Sequence, residues 1–148
     1  MKHSHPSALF RTAVLLAALI IGATVLPAPA ATPMEKAFER LEKSYKKLSE
    51  GLKSPSESSK PAFVEIARQI RKDAGVAAGY EPKMIATLPS NERAEFLAEF
   101  RKDMDQFTAD CDKLVAAVES GDWAGTSKIL DSLRQQKKAG HKTFRVQD

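Results

Sequence analysis

Four segments of the sequence carry apolar residues at helical spacing, and this periodicity is what most constrains the fold. In each segment an apolar side chain returns every three or four positions, so one face of a helix is apolar and the opposite face is charged. No alternating β-pattern, internal repeat or domain boundary interrupts the segments, which predicts a single all-α domain. The stripes are Met34, Ala37, Phe38, Leu41, Tyr45 and Leu48; Phe63, Ile66, Ile70, Ala74 and Ala77; Leu97, Phe100, Met104, Phe107, Cys111, Leu114 and Val118; and Trp123, Thr126, Leu130, Leu133 and Phe144.

Residues typical of helix ends bound these segments. Thr32-Pro33-Met34-Glu35 matches a capping box with proline in the first turn, and Gly51 is a typical helix end. Helices are predicted over 33–50, 61–78, 91–119 and 123–145, with Ser90 or Asn91 capping the third and Asp122 capping the fourth. Connections of about 10, 11 and 3 residues favour an antiparallel up-down-up-down four-helix bundle.

The first 30 residues have the features of a secretory signal peptide. Lys2 and Arg11 form a positive region, Ala13 to Leu26 is a run of 14 residues without charge, and Ala28-Pro29-Ala30 is a small-x-small cleavage pattern. This apolar run is shorter than the roughly 20 apolar residues that span a bilayer. We therefore predict cleavage before Ala31, export, no membrane span after cleavage, and a four-helix domain over 31–148.

Composition and charge exclude several classes of function. Loss of Lys2 and Arg11 with the signal would lower the net charge from +4 to +2, and charges of both signs alternate along each helix. This pattern does not resemble a nucleic-acid-binding surface. Cys111 is the only cysteine, so no internal disulfide can form. No nucleophile or paired acid–base set is visible, and we predict that the protein is not an enzyme.

One histidine and one methionine come together under the predicted topology. His3 and His5 lie in the signal, so His141 is the only imidazole of the exported domain. Helix one starts, and helix four finishes, at the same end of an up-down-up-down bundle. Met34 and His141 are therefore expected to be neighbours, although they lie at opposite ends of the domain sequence.

Apolar side chains are predicted to surround this pair. The connection 80–89 is unusually apolar for a loop, and an exposed apolar patch needs a cover or a function. The same end of the bundle receives the first half of helix three, with Phe100 and Met104. Lys137 stands at a position in the stripe of helix four where an apolar residue is expected.

Imidazole nitrogen and methionine sulfur are an established axial pair for haem iron, and a site with both axial positions filled is suited to one-electron transfer. Lys137, Lys138 and Arg145 are candidates for binding the propionates. Each residue also has a simpler interpretation. A lone histidine can complement a helix dipole, a methionine can pack in the core, and Lys137 can extend into solvent.

Other metal chemistry is disfavoured by the sequence. Carboxylate-bridged di-iron bundles require Glu-x-x-His pairs, and zinc sites require several Cys or His ligands. Neither set occurs in the exported domain. Covalent haem attachment through Cys-x-x-Cys-His would need cysteines where Lys137 and Gly140 stand, so any haem is expected to be non-covalent.

The layout resembles the soluble cytochrome b562 family, which are periplasmic four-helix haem proteins. The resemblance covers most of residues 32–145, through Met34-Glu35-x-x-Phe38-x-x-Leu41 and Ala139-Gly140-His141-Lys142-x-Phe144-Arg145. It implies axial ligation of one haem b by Met34 and His141, a haem wall that includes Phe100, and an arginine-like role for Lys137. It also implies a periplasmic, monomeric electron carrier with a redox protein as partner. The alternative is a haem-free exported bundle that binds a protein or small ligand through the region 80–89.

Overall fold

A computed structural model describes residues 31–144, which form four α-helices. These are α1 (Pro33–Gly51), α2 (Lys60–Ala78), α3 (Arg93–Ser120) and α4 (Trp123–Phe144), and short 3-10 helices cover Glu57–Ser59 and Lys83–Thr87. Within this part of the chain there is no strand, which confirms the prediction of an all-helical fold. The predicted signal peptide and Arg145 lie outside the described residues.

Local hydrogen bonds fix the starts of α1 and α4, as the sequence predicts. The Thr32 hydroxyl accepts from the Glu35 N–H at 3.2 Å, and the Glu35 carboxylate accepts from the Thr32 N–H at 2.6 Å. Between α3 and α4, Gly121 adopts a positive φ of 76°, which a residue with a side chain rarely does. Asp122 then caps α4 by accepting from the Gly125 N–H at 2.9 Å.

The start of α3 differs from the prediction. Ser90 and Asn91 lie in a turn closed by the Glu92 N–H, which donates to the Pro89 carbonyl at 3.0 Å. The helix therefore begins at Arg93, without a side-chain cap. The Arg93 guanidinium instead donates to carbonyls of the preceding connection, at 2.9 Å in the case of Leu88.

The predicted stripes meet in one core. Its fully buried members come from all four helices and include Leu41, Ile70, Leu114 and Leu133. Cys111 is also buried, and burial raises the pKa of its thiol to about 12, so it behaves as a small apolar side chain. Burial of the four apolar stripes in this core is the main stabilising contribution in a domain without a disulfide.

Helix packing is uneven around the core. Helices α1 and α2, α2 and α3, and α3 and α4 pack closely, whereas α1 and α4 approach one another at few positions. The core is therefore covered on three sides and opens between the first and last helices. None of the described helices has an apolar stretch sufficient to cross a membrane.

One buried ion pair joins α1 to α2. Asp73 is 1% exposed and accepts from the Arg40 guanidinium through Nε and Nη2, each at 2.7 Å. Gln69 donates to the other Asp73 oxygen at 2.8 Å. Two guanidinium nitrogens at Oδ1 and the Gln69 amide at Oδ2 satisfy a carboxylate that would otherwise be costly to bury.

Candidate functional site

A cleft of about 970 Å³ opens where α1 and α4 separate, and we call it the α1–α4 cleft. Its floor is formed by α3, and the segment 81–83 covers one end. The lining includes Met34, Glu35, Phe38, Glu39 and Glu42 from α1; Phe100, Asp103, Met104 and Phe107 from α3; Lys137, Gly140, His141 and Phe144 from α4; and Glu81, Pro82 and Lys83 from the covering segment.

Five of the six predicted site residues line this cleft. Met34 is half-buried and His141 is exposed on the opposite helix. Phe100 and Met104 are buried in the floor, at 5% and 7% exposure, and Lys137 lies further along α4. The structure thus brings the five together, whereas their binding of iron or a porphyrin stays a prediction.

The two walls face one another at successive helical turns. Met34, Phe38 and Glu42 are spaced by four residues on α1, as are Lys137 and His141 on α4. The rings of Phe38 and His141 make an edge-to-face contact with centroids 5.7 Å apart and an interplanar angle of 85°. One turn deeper, Lys137 forms an ion pair with Glu42.

An aromatic cluster closes the outer end of the floor. The Phe144 ring packs edge-on against Phe96 and Phe100, with centroids 5.3 Å apart in both pairs. Gly140 lies one turn before Phe144, and a side chain there would contact the Phe144 ring. These rings give the cleft an apolar floor.

The covering segment is held by an ion pair with the start of α1. Lys83 donates to the Glu35 carboxylate at 2.8 Å, and Glu35 also caps Thr32. The Lys83 hydrogen bond, followed by the Thr32 backbone hydrogen bond, lowers the pKa of Glu35 from 4.5 to about 2. Pro82 is buried beneath this contact, whereas Tyr80 is 44% exposed. The apolar connection 80–89 is therefore only partly covered.

Glu35 should make the stability of the protein depend on acid pH. Because its pKa is lower in the folded protein, Glu35 contributes stability above pH 4.5, and this contribution is lost as the pH falls towards 2. Glu35→Gln should reduce the dependence of the free energy of unfolding on pH in this acid range. The reduction should be about 1 kcal/mol at most, because the ion pair is half exposed. Urea denaturation from pH 2 to 7 measures this, with Glu39→Gln as control. Equal slopes in both variants would contradict the assigned role.

The lining of the cleft is negatively charged. It contains five carboxylates, Glu35, Glu39, Glu42, Glu81 and Asp103, and two ammonium groups, for a net charge of −3 with His141 neutral. The whole chain, in contrast, carries +4. The two ammonium groups, those of Lys83 and Lys137, each pair with a carboxylate of α1.

Lys137 is the less exposed of the two cations. Its side chain is 19% exposed, against 53% for Lys83. Burial lowers the pKa of Lys137, and its ammonium lies 6.0 Å from the centroid of the Tyr45 ring. Lys137 therefore lies inside the cleft as a partly dehydrated cation, and its ammonium does not extend fully into solvent.

Glu42 is the site residue that sequence reasoning missed. It lies on the charged face of α1, where an acidic residue is ordinary. The available signal was its spacing, eight residues after Met34 and therefore on the same side of the helix. Phe38 was expected in the core stripe, and the structure adds its contact with His141.

No group of three or more His, Cys, Asp or Glu side chains within residues 31–144 could hold a metal ion by itself. A methionine–histidine pair is not a group of that kind. No protein-family model matches the chain, and no curated protein or solved structure matches it either.

Proposed function

We propose that the four helices run antiparallel in up-down-up-down order. The order of cross-helix contacts supports this: Phe38 faces His141, and Glu42, further along α1, faces Lys137, which comes earlier in α4. The same reversal occurs between α2 and α3, where the ion pairs are Arg68–Glu119 and Arg71–Asp112. This order is what neighbouring antiparallel helices produce.

We propose that the protein is a periplasmic b-type cytochrome that binds one haem non-covalently and transfers electrons. The observation that carries this proposal is the position of Met34 and His141 on opposite walls of one cleft, above a floor of Phe100 and Met104. The thioether and the imidazole are the axial pair that favours electron transfer. The periplasmic location rests on the predicted signal peptide.

The chemistry of the cleft fits such a group. Its volume of about 970 Å³ lies at the upper end of the roughly 300–1,000 Å³ typical of ligand pockets. The floor supplies aromatic and thioether surface for an apolar ring, and Lys137 supplies a cation for a carboxylate.

Each residue has a separate task in this proposal. Haem supplies a one-electron couple when it is bound. Met34 would supply a soft sulfur ligand, which would raise the reduction potential, and the edge-to-face contact with the Phe38 ring would orient the His141 imidazole. Phe144 and Phe100 exclude water from the apolar floor. A monomer that passes electrons to a redox protein requires no further catalytic group.

A second candidate is a haem-free exported bundle that binds a protein or small ligand. The exposed Tyr80, which directly precedes the covering segment in sequence, favours it, because an exposed aromatic side chain is a typical contact for a partner. The negative lining would then select a ligand with a cationic group.

A haem titration separates the two candidates. Purified protein should bind haem with a 1:1 stoichiometry and give sharp visible bands in the ferrous state. Free haem at a hundredfold excess over its dissociation constant should stabilise the fold by about 2.7 kcal/mol. Acidified acetone should then extract all the haem, because Lys137 and Gly140 stand where thioether bonds would require cysteine. Absence of both spectral change and thermal stabilisation would favour the haem-free bundle.

A further inference from the structure

The ion pair between Glu42 and Lys137 crosses the opening of the α1–α4 cleft. It joins two residues that are 95 positions apart in sequence, on two helices that make few other contacts with one another. Both residues line the cleft. A ligand entering the cleft therefore meets a cation that already has a carboxylate partner.

The two partners differ in how easily they can separate. The Glu42 side chain is 54% exposed, so its carboxylate can leave the pair and regain water at little cost. The Lys137 side chain is only 19% exposed, and its partly dehydrated ammonium needs an anion in place. Of the two, Glu42 is the replaceable partner and Lys137 the fixed one.

We propose that Glu42 is a displaceable counter-ion, which holds Lys137 in the free protein and gives way to the carboxylate of the ligand. One carboxylate replaces another, so the charge around Lys137 is conserved throughout the exchange. Glu42 therefore competes only with ligands that carry a carboxylate, because a neutral ring cannot replace it at Lys137 and leaves the Glu42–Lys137 pair intact. In the free protein the same pair holds α1 and α4 together.

The inference rests on the proposed function, because haem is the carboxylate-bearing probe. The matched probe is haem dimethyl ester, which keeps the iron and the ring but lacks free carboxylates. The matched variant is Glu39→Gln, which removes one negative charge from the same wall of the cleft without freeing Lys137. Comparison of Glu42→Gln with Glu39→Gln thus isolates the exchange from the general effect of charge.

Equilibrium titrations of both probes test the exchange at about 0.15 M salt, where long-range charge effects are screened. Glu42→Gln should bind haem about two- to fivefold more tightly than Glu39→Gln does, the range expected for loss of a competing, partly exposed ion pair. With the dimethyl ester this advantage should disappear. Equal haem affinities in the two variants would overturn the proposal.

Hydrogen exchange of the haem-free protein provides an independent reading. Amides of α4 around Lys137 should exchange faster in Glu42→Gln than in Glu39→Gln, because only the former loses the ion pair between α1 and α4. Unchanged exchange would show that the pair does not hold the helices and would overturn that part of the proposal. A wild-type protein that binds neither probe would instead refute the cytochrome assignment, and the counter-ion exchange with it.

Discussion

His141→Ala should weaken haem binding by more than about 100-fold. Loss of an outer-shell partner alone commonly costs about 10–100-fold in metal affinity, and His141 is proposed as the ligand itself. The described fold contains no second histidine that could replace it. The variant should remain helical, because His141 is exposed and contributes little to the core. Haem titration followed by absorption, with circular dichroism as the folding check, measures both effects.

Met34→Leu should act differently, because it opens one axial position and keeps the imidazole. The ferrous protein should change from six-coordinate low-spin to high-spin, and carbon monoxide should bind readily. Met104→Leu is the matched control, since Met104 lines the same cleft but packs in the floor. That variant should keep the low-spin spectrum. A low-spin spectrum in Met34→Leu, or its loss in Met104→Leu, would refute Met34 as the ligand.

Arg40→Met should lower the free energy of unfolding by about 3–5 kcal/mol. The substitution removes the cation that faces Asp73 and leaves a carboxylate buried with Gln69 as its remaining partner. Methionine retains an apolar stem of similar length, so the loss of packing is small.

Arg68→Met is the matched control for this prediction. Arg68 and Arg40 have similar side-chain exposures, 58% and 48%, but the partner Glu119 is 45% exposed whereas Asp73 is 1% exposed. Loss of an exposed pair should cost at most about 1 kcal/mol. Urea denaturation of both variants measures the loss in the free energy of unfolding. Similar losses in the two variants would show that the effect of Arg40→Met does not come from burial of the Asp73 carboxylate.

Local sequence signals were sufficient for the helices and most of their ends. The capping box at Thr32 and the turn at Gly121 depend on a few consecutive residues, and the structure confirms both. The start of α3 was wrong by two residues because Ser90 and Asn91 are good caps in isolation. The turn that follows Pro89 takes precedence over them.

Contacts between distant helices were only partly accessible from sequence. Met34 and His141 line one cleft, and the expectation that they would be neighbours needed only connection lengths and an assumed helix order. The Glu42–Lys137 and Arg40–Asp73 pairs depend instead on rotation of each helix about its axis, which a stripe fixes only approximately. Asp73 follows Ile70 by three residues on the apolar side of α2, and that position was the available signal for its burial.

The opening between α1 and α4 also has a consequence for the order of folding. Ion pairs and hydrogen bonds between the other helices join residues 26, 33, 41 and 51 positions apart, whereas Lys137 and Glu42 are 95 positions apart. The entropy lost on closing a loop grows with its length, and contacts between distant residues tend to form late. We therefore expect the α1–α4 contacts to form last, after the core of α2, α3 and their neighbours. Ligand binding at this cleft would then stabilise the contacts that form last, and it would require both α1 and α4 to be in place.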